Sequence, residues 1–388
     1  MRKSLFVLLI IFFITTSFCG KKDENKIKEE FKNGIKIIHN PALPLKGEVI
    51  LKLKEVFKID ASDVDAQDPP EFGEFRKDKD NNIYINDYRN RRILKFNKAG
   101  EFQISFGGKG EGPGEFQYIR SFKKIGDKLI VWGRRKFSTF NISGKFLNEK
   151  RVKKFYYNVL ITGEDKFIVN FYKMEGDGKV PERFKVNALI DEEENILATF
   201  FKAKNVGSTM VKKKKFVFSF SSTSITEDIK NAYNDKKRVM YGNLSNQYKI
   251  YIKNLEGETQ KIIERKFEKI KIKDSDKDKI VKAFNNINDW QKKTIKENLP
   301  ENFCVISSIK VLPGDYILAY VIKGAGDIEM DLFDDRGRFL YILKYPENFD
   351  LYYTEFMEKK LIGIREESES DRYIEFEILN YDEIFTLK

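Results

Sequence analysis

The sequence predicts an all-β fold, six repeated antiparallel units closed into a six-bladed β-propeller. Three observations carry this. First, six segments repeat one pattern: a strand, an Asn/Asp turn that usually contains Gly, and a second strand. They are Ile93 to Phe102, Phe137 to Phe146, Val186 to Leu197, Ile250 to Gln260, Glu329 to Leu340 and Ile374 to Phe385. Self-similarity over a few tens of residues marks a repeat architecture, and repeated antiparallel hairpins suit a propeller. Second, aromatic residues make up 14% of the 388-residue chain, with 34 Phe and 18 Tyr, which favours packed strands. Third, the repeat turns at Gly100, Gly144, Glu194, Gly257, Gly337 and Asp382 lie 44, 50, 63, 80 and 45 residues apart. The shorter gaps fit single blades and the longer ones must hold insertions.

Residues 1–18 read as an export signal. Met1-Arg2-Lys3 is a basic start, and Leu5 to Ile14 is an unbroken apolar run with the size of a signal-peptide core. The position of Cys19 resembles a bacterial lipoprotein signal, which implies lipidation of that cysteine. Residues 19–46 are then expected to be a flexible tether, because the stretch after Cys19 is charge-rich and poor in core-forming residues. The propeller is expected over residues 47–388. Glu48 to Leu53 reads as a strand without a blade of its own, expected to complete blade six and close the ring.

Blade one is the clearest unit. Asp80-Asn81-Asn82 is a turn, Ile83-Tyr84-Ile85 a strand, Asp87 to Arg92 a polar turn and Ile93 to Phe96 the next strand. The spacing of Asp87, Asn90, Arg92, Ile93, Phe96, Asn97 and Gly100 resembles the NHL repeat, and the Gly-rich stretch from Phe106 to Phe116 is similar to the link between NHL blades. The whole chain resembles bacterial six-bladed propeller lipoproteins. In that resemblance Asp87, Asn90, Gly100, Gly144, Gly257 and Gly337 are structural residues of the repeat. Blade two is expected over Ile119 to Val152, blade three over Phe155 to Phe201, blade four over Phe216 to Ile272, blade five over Val305 to Leu343 and blade six over Leu351 to Lys388. Within the 80-residue gap, residues 274–299 read as one helical insertion. Ile280, Phe284, Ile287 and Ile295 share a face, Asp274 to Asp276 supply the N-terminal cap and Pro300 the stop.

The chemistry of known propeller enzymes is mostly missing. A single histidine, His39, removes His-based triads and multi-His zinc sites. The aspartates at 274, 276 and 278 begin like a calcium loop but lack its Gly, so capping explains them better and no metal or cofactor is expected, calcium being the one alternative. Cys304, in an apolar run, reads as a small buried side chain. The glycines from 107 to 114 precede neither Lys-Ser/Thr nor a helix, which excludes a phosphate loop. The net charge of +12 is spread over the chain, with two local concentrations. Arg89, Arg91 and Arg92 occupy a blade-one turn, and Arg134 and Arg135 the equivalent turn of blade two, so both open on one face and could attract an anion. A run at Lys212 to Lys215 reads as a loop end.

The expectation is therefore a monomeric, envelope-anchored, non-catalytic propeller. It binds an envelope protein, a peptide or an anionic glycan on one face, meets the membrane through its lipid, and sits in the periplasm or at the outer membrane. The alternative is a carboxylate- or calcium-dependent hydrolase or lyase at the channel mouth, for which Asp87, Asp63 and Asp65 are the acidic candidates. Nucleic acid is excluded by the export signal.

Overall fold

A computed structural model describes residues 26–65, 67–176, 182–204, 209–213, 216–220, 229–234, 236–237, 239–243, 247–284, 287–297, 299–367 and 370–385. Cys19 and the export signal lie outside them, as do Lys214 and Lys215.

The chain begins with four strands: β1 (Lys28–Lys32), β2 (Ile35–Asn40), β3 (Glu48–Ile50) and β4 (Leu53–Asp60). Blade one follows as β5 (Phe72–Lys77), β6 (Ile83–Asp87), β7 (Arg92–Phe96) and β8 (Phe102–Gly107). Blade two is β9 (Ile119–Ile125), β10 (Lys128–Gly133), β11 (Lys136–Asn141) and β12 (Phe146–Arg151). Blade three is β13 (Asn158–Ile161), β14 (Lys166–Glu175), β15 (Glu182–Asp191) and β16 (Ile196–Lys204). A separate hairpin, β17 (Thr209–Lys213) and β18 (Phe216–Phe220), precedes blade four, which is β19 (Lys230–Asn234), β20 (Val239–Asn243), β21 (Lys249–Lys253) and β22 (Thr259–Arg265). Helices α1 (Asp274–Lys282) and α2 (Asp289–Glu297) lead to blade five, β23 (Ile306–Val311), β24 (Ile317–Gly324), β25 (Asp327–Phe333) and β26 (Phe339–Lys344). Blade six is β27 (Leu351–Met357), β28 (Lys360–Arg365) and β29 (Arg372–Ile378), with β4 as its fourth strand, and α3 (Tyr381–Phe385) ends the described chain.

One turn chemistry recurs through the ring. Asn97, Asn141, Asp191, Asn254 and Asp334 each stand between the third and fourth strands of a blade. Each side-chain oxygen accepts from the backbone N–H four residues on, at 2.8 to 3.0 Å. Gly100, Gly144, Gly257 and Gly337 follow three residues behind with φ near +90°, a conformation that favours glycine. Blade six has no such turn, because its third and fourth strands come from opposite ends of the chain. Asn380 supplies the same contact between them: its side-chain oxygen accepts from Lys52 N–H at 2.9 Å and its amide donates to Ile50 O at 2.9 Å.

Several expectations need correction. Residues 28–40 are not tether. They form a β1–β2 hairpin that lies in parallel register on β22 and widens blade four to six strands. Ile38 is fully buried there, and the Asn33-Gly34 turn has both φ angles positive, as a tight hairpin requires. The fully exposed β1 reads as polar in sequence because it is an edge strand. The strand expected over Glu48 to Leu53 divides: β3 adds in parallel to blade five, and β4 closes blade six. The segment at 381–385 is a short helix instead of a second hairpin arm, and blade four begins at Lys230. The helical insertion is two helices. Asn288 and Gln291 form a reciprocal cap, each backbone N–H donating to the other's side chain, at 2.9 and 3.0 Å respectively, which starts α2 afresh. In α1 the cap residue is Lys273, whose N–H donates to Asp276 at 3.0 Å. Both helices bury Ile280, Val281 and Ile295 against Phe303, Cys304 and Ile322.

Blades are joined by apolar clusters shared across each seam. Between blades two and three, Trp132, Phe137, Tyr156 and Phe167 pack together, with Phe137 and Phe167 stacked at 4.0 Å. Buried charge joins blades four and five. Arg265 pairs with Asp331 and with Glu329 at 2.9 Å, donates to Ala42 O at 2.9 Å and lies over the Phe339 ring. Tyr248 also donates to Asp331.

Candidate functional site

In a ring of antiparallel blades, the turns between second and third strands open on the same face as the connections between blades. Two clefts on that face are lined by such loops. The first lies over blade two, between its links to blades one and three, and has a volume of about 480 Å³. Gly110, Glu111 and Gln117 come from the link between blades one and two, Arg134, Arg135 and Lys136 from the blade-two turn, and Arg151, Val152 and Phe155 from the next link. The Gly-rich link is thus one wall of the cleft: Phe116 N–H donates to Gly108 O at 2.7 Å and Gly110 N–H to Phe116 O at 3.2 Å, which folds the link back on itself.

The lining cations differ in how far they are neutralised. Lys136 is buried and spent, donating to Glu149 at 2.6 Å and to Gly112 O at 3.1 Å. Arg151 is exposed and reaches Glu149 at 3.2 Å. Arg134 donates to the neutral amide oxygen of Gln117 at 3.0 Å. Arg135 holds a left-handed φ of +58° and is exposed. Within the described residues neither Arg134 nor Arg135 meets a carboxylate. Phe155, 45% exposed, offers an apolar surface at the cleft edge beside Arg120, whose guanidinium lies 5.9 Å from its ring centre.

The blade-one arginines are placed differently. Arg92 donates to the buried Asp87 at 2.8 Å, and Asp87 also accepts from Asn90 N–H and Nδ2, both at 3.0 Å. These three residues staple the turn. Arg89 pairs with Asp68 at 2.6 Å and lines the second cleft, between blades six and one. Arg91 sits in the turn with φ +57°. The five arginines therefore do not share one cleft; Arg134 and Arg135 stand together and Arg89 stands in another. Lys212 and Lys213 lie in β17.

The acidic candidates at the channel are also elsewhere. Asp87 is consumed in its turn, and Asp65 accepts from Gln67 and Asp68 N–H in an exposed loop. The innermost strands instead bring together Glu74 and Arg76 of β5 with Glu355 of β27. Arg76 donates to Glu74 and, at 2.7 Å, to Glu355. Burial pushes the Glu74 carboxyl up to about 7, with Arg76 opposing. Its second oxygen has no hydrogen-bond partner. The signal was local: Glu74 and Arg76 flank Phe75, so along the strand the two charges share the face opposite that ring. Among the described residues no group of three or more acidic, His or Cys side chains is placed to hold a metal ion, and no helix is long and apolar enough to cross a membrane.

Comparison with known proteins agrees with this architecture. A candidate exported protein from Bacteroides fragilis is similar in structure, with a TM-score of 0.53 at 16% identity over 88% of this chain and 98% of that one. A DUF4221-family protein from Bacteroides vulgatus matches with a TM-score of 0.50 at 9% identity over 84% and 98%. Both likenesses concern the fold. No curated protein sequence matches. The profile of a family described as 6-bladed beta-propeller, DUF5128, matches residues 51–285, more than half of the chain, and the chain belongs to that family.

Proposed function

We propose that this propeller is a non-catalytic binding protein of the bacterial envelope, exported and held to a membrane through Cys19, which takes an anionic glycan in the cleft over blade two. One observation carries the reading. Arg134 and Arg135 project there without a carboxylate to neutralise them, next to the exposed ring of Phe155. Guanidinium groups suit the planar carboxylate of an acidic sugar, and an aromatic face suits the apolar side of its ring. The export signal and the description of the B. fragilis relative as exported favour the envelope.

The test is titration of the full chain with alginate, a uronic-acid polysaccharide, at low and high salt. Arg134→Glu with Arg135→Glu is expected to weaken binding at least about tenfold, and salt to weaken the unaltered protein's binding as it screens the charges. Binding unchanged by the double variant, or indifferent to salt, overturns the reading.

A second reading, a hydrolase or lyase at the channel, is favoured by the proton that Glu74 holds near neutral pH beside Glu355. It requires that alginate be shortened on incubation and that Glu74→Gln stop the shortening.

A further inference from the structure

The cleft where blade six meets blade one has a chemistry opposite to that of the basic cleft. Its volume is about 560 Å³. It is lined by Tyr88, Tyr352 and Tyr353, by Pro69 and Pro70, and by Glu71, Glu366 and Asp371. The chain carries a net charge of +12, yet among the described residues the only cation lining this cleft is Arg89, already paired with Asp68.

The backbone is arranged to present the aromatic rings. β27 is the innermost strand of blade six, and its pairing with β28 slips between Tyr352 and Glu355. At that bulge Tyr353 adopts φ +50°, a left-handed conformation costly for a bulky residue, and its side chain stays 47% exposed. Tyr88 donates to the Tyr353 hydroxyl at 3.1 Å, with the ring centres 6.2 Å apart and inclined at 44°. Tyr352 lies 5.1 Å from Tyr353 at 58°. Gly73 makes room for this: a Cβ there would stand 2.0 Å from the Tyr88 ring. So the tyrosines meet at angles, as the sides of a corner.

The carboxylates give the corner its sign. Glu71 and Glu366 are exposed and form no ion pair among the described residues, whereas Glu367 is held by Arg372 at 2.9 Å. Asp371 is buried and accepts from Phe72 N–H at 2.8 Å. Burial first, and then the negative charges of Glu366 and Glu71, push its carboxyl upward.

We propose that this cleft binds an alkylammonium group, its charge facing the tyrosine rings and the carboxylates of Glu71 and Glu366. A ring face attracts a cation through its quadrupole, most strongly where several rings meet and water is scarce. The prolines offer a wall without N–H groups, suited to the methyl or methylene groups around such a nitrogen. A metal ion does not fit, because among the described residues the carboxylates do not converge on one point. The site is independent of the glycan cleft and takes the opposite charge.

The test is titration of the full chain with choline, followed by ligand-observed NMR, alongside 3,3-dimethyl-1-butanol, which has the same shape without the charge. Choline is expected to bind at least about tenfold more tightly than the alcohol. Tyr353→Gly removes the ring and relieves the left-handed backbone, so it is expected to abolish binding while thermal stability holds or rises. Glu71→Gln with Glu366→Gln alters two exposed side chains and is expected to weaken choline about tenfold, while Arg134→Glu leaves it unchanged. Equal affinity for the alcohol, no choline binding at millimolar concentration, or binding indifferent to both sets of variants overturns the proposal.

Discussion

Glu74 keeps its proton to about pH 7, against an ordinary value of 4.5, because the wall of the ring shields it from water. The folded chain therefore holds a proton that the unfolded chain releases between those two values. The stability this gives is full below about pH 4.5 and is lost as pH rises through 7. Asp331, pushed up to about 7 by burial against the opposing charge of Arg265, adds to the same trend. Glu74→Gln keeps the shape without the ionisation. Denaturant unfolding at pH 5 and pH 8 is expected to show the variant gaining about 1–3 kcal/mol on the unaltered protein at the higher pH. A pH-independent difference between the two would contradict the burial argument. In sequence Arg134 and Arg135 belong to the same basic group as Arg89, Arg91 and Arg92, with nothing to separate them. Arg89 and Arg92 looked alike there, because the partners that consume them, Asp68 and Asp87, are recognisable only once the turns are folded.

The repeated hairpin is the element most readily read from sequence, because its signals are local. An Asn or Asp, a positive-φ glycine three residues on and flanking alternation need nothing beyond about twelve residues. Elements defined by distant partners were not legible in the same way. β1 and β2 look like solvated chain until β22 is beside them, and β3 and β4 look like one strand until blades five and six each take a part. Asn380 belongs to this second class: alone it is one asparagine after a strand, but in the ring it replaces a covalent turn. Asn380→Ala removes hydrogen bonds to Lys52 and Ile50 and is expected to destabilise the chain by about 1–3 kcal/mol. Asn254→Ala, in a turn that covalent continuity already holds, should lose less. Equal losses by chemical denaturation would mean that Asn380 closes nothing.

At the scale of the molecule, two clefts of opposite charge share one face, and the helical pair stands on the connection between blades four and five, which opens on that face too. The strap of residues 28–60 borders three consecutive blades at the rim: β1 and β2 outside blade four, β3 outside blade five and β4 in blade six. An extended chain spans at most about 3.3–3.6 Å per residue, so a lipid on Cys19 would keep the blade-four rim within roughly 30 Å of the bilayer. Cys19→Ser is expected to move the protein from the membrane to the soluble fraction of its host; retention at the membrane would dismiss the anchor. The strap also decides how the protein answers mechanical force. A pull on the N-terminus must strip β1, then β2, then β3, before any load reaches β4, the strand whose loss opens the ring. The seam that closes the ring is shielded by three others in series, so drag on a tethered molecule frays the rim of blade four while both clefts keep their shape.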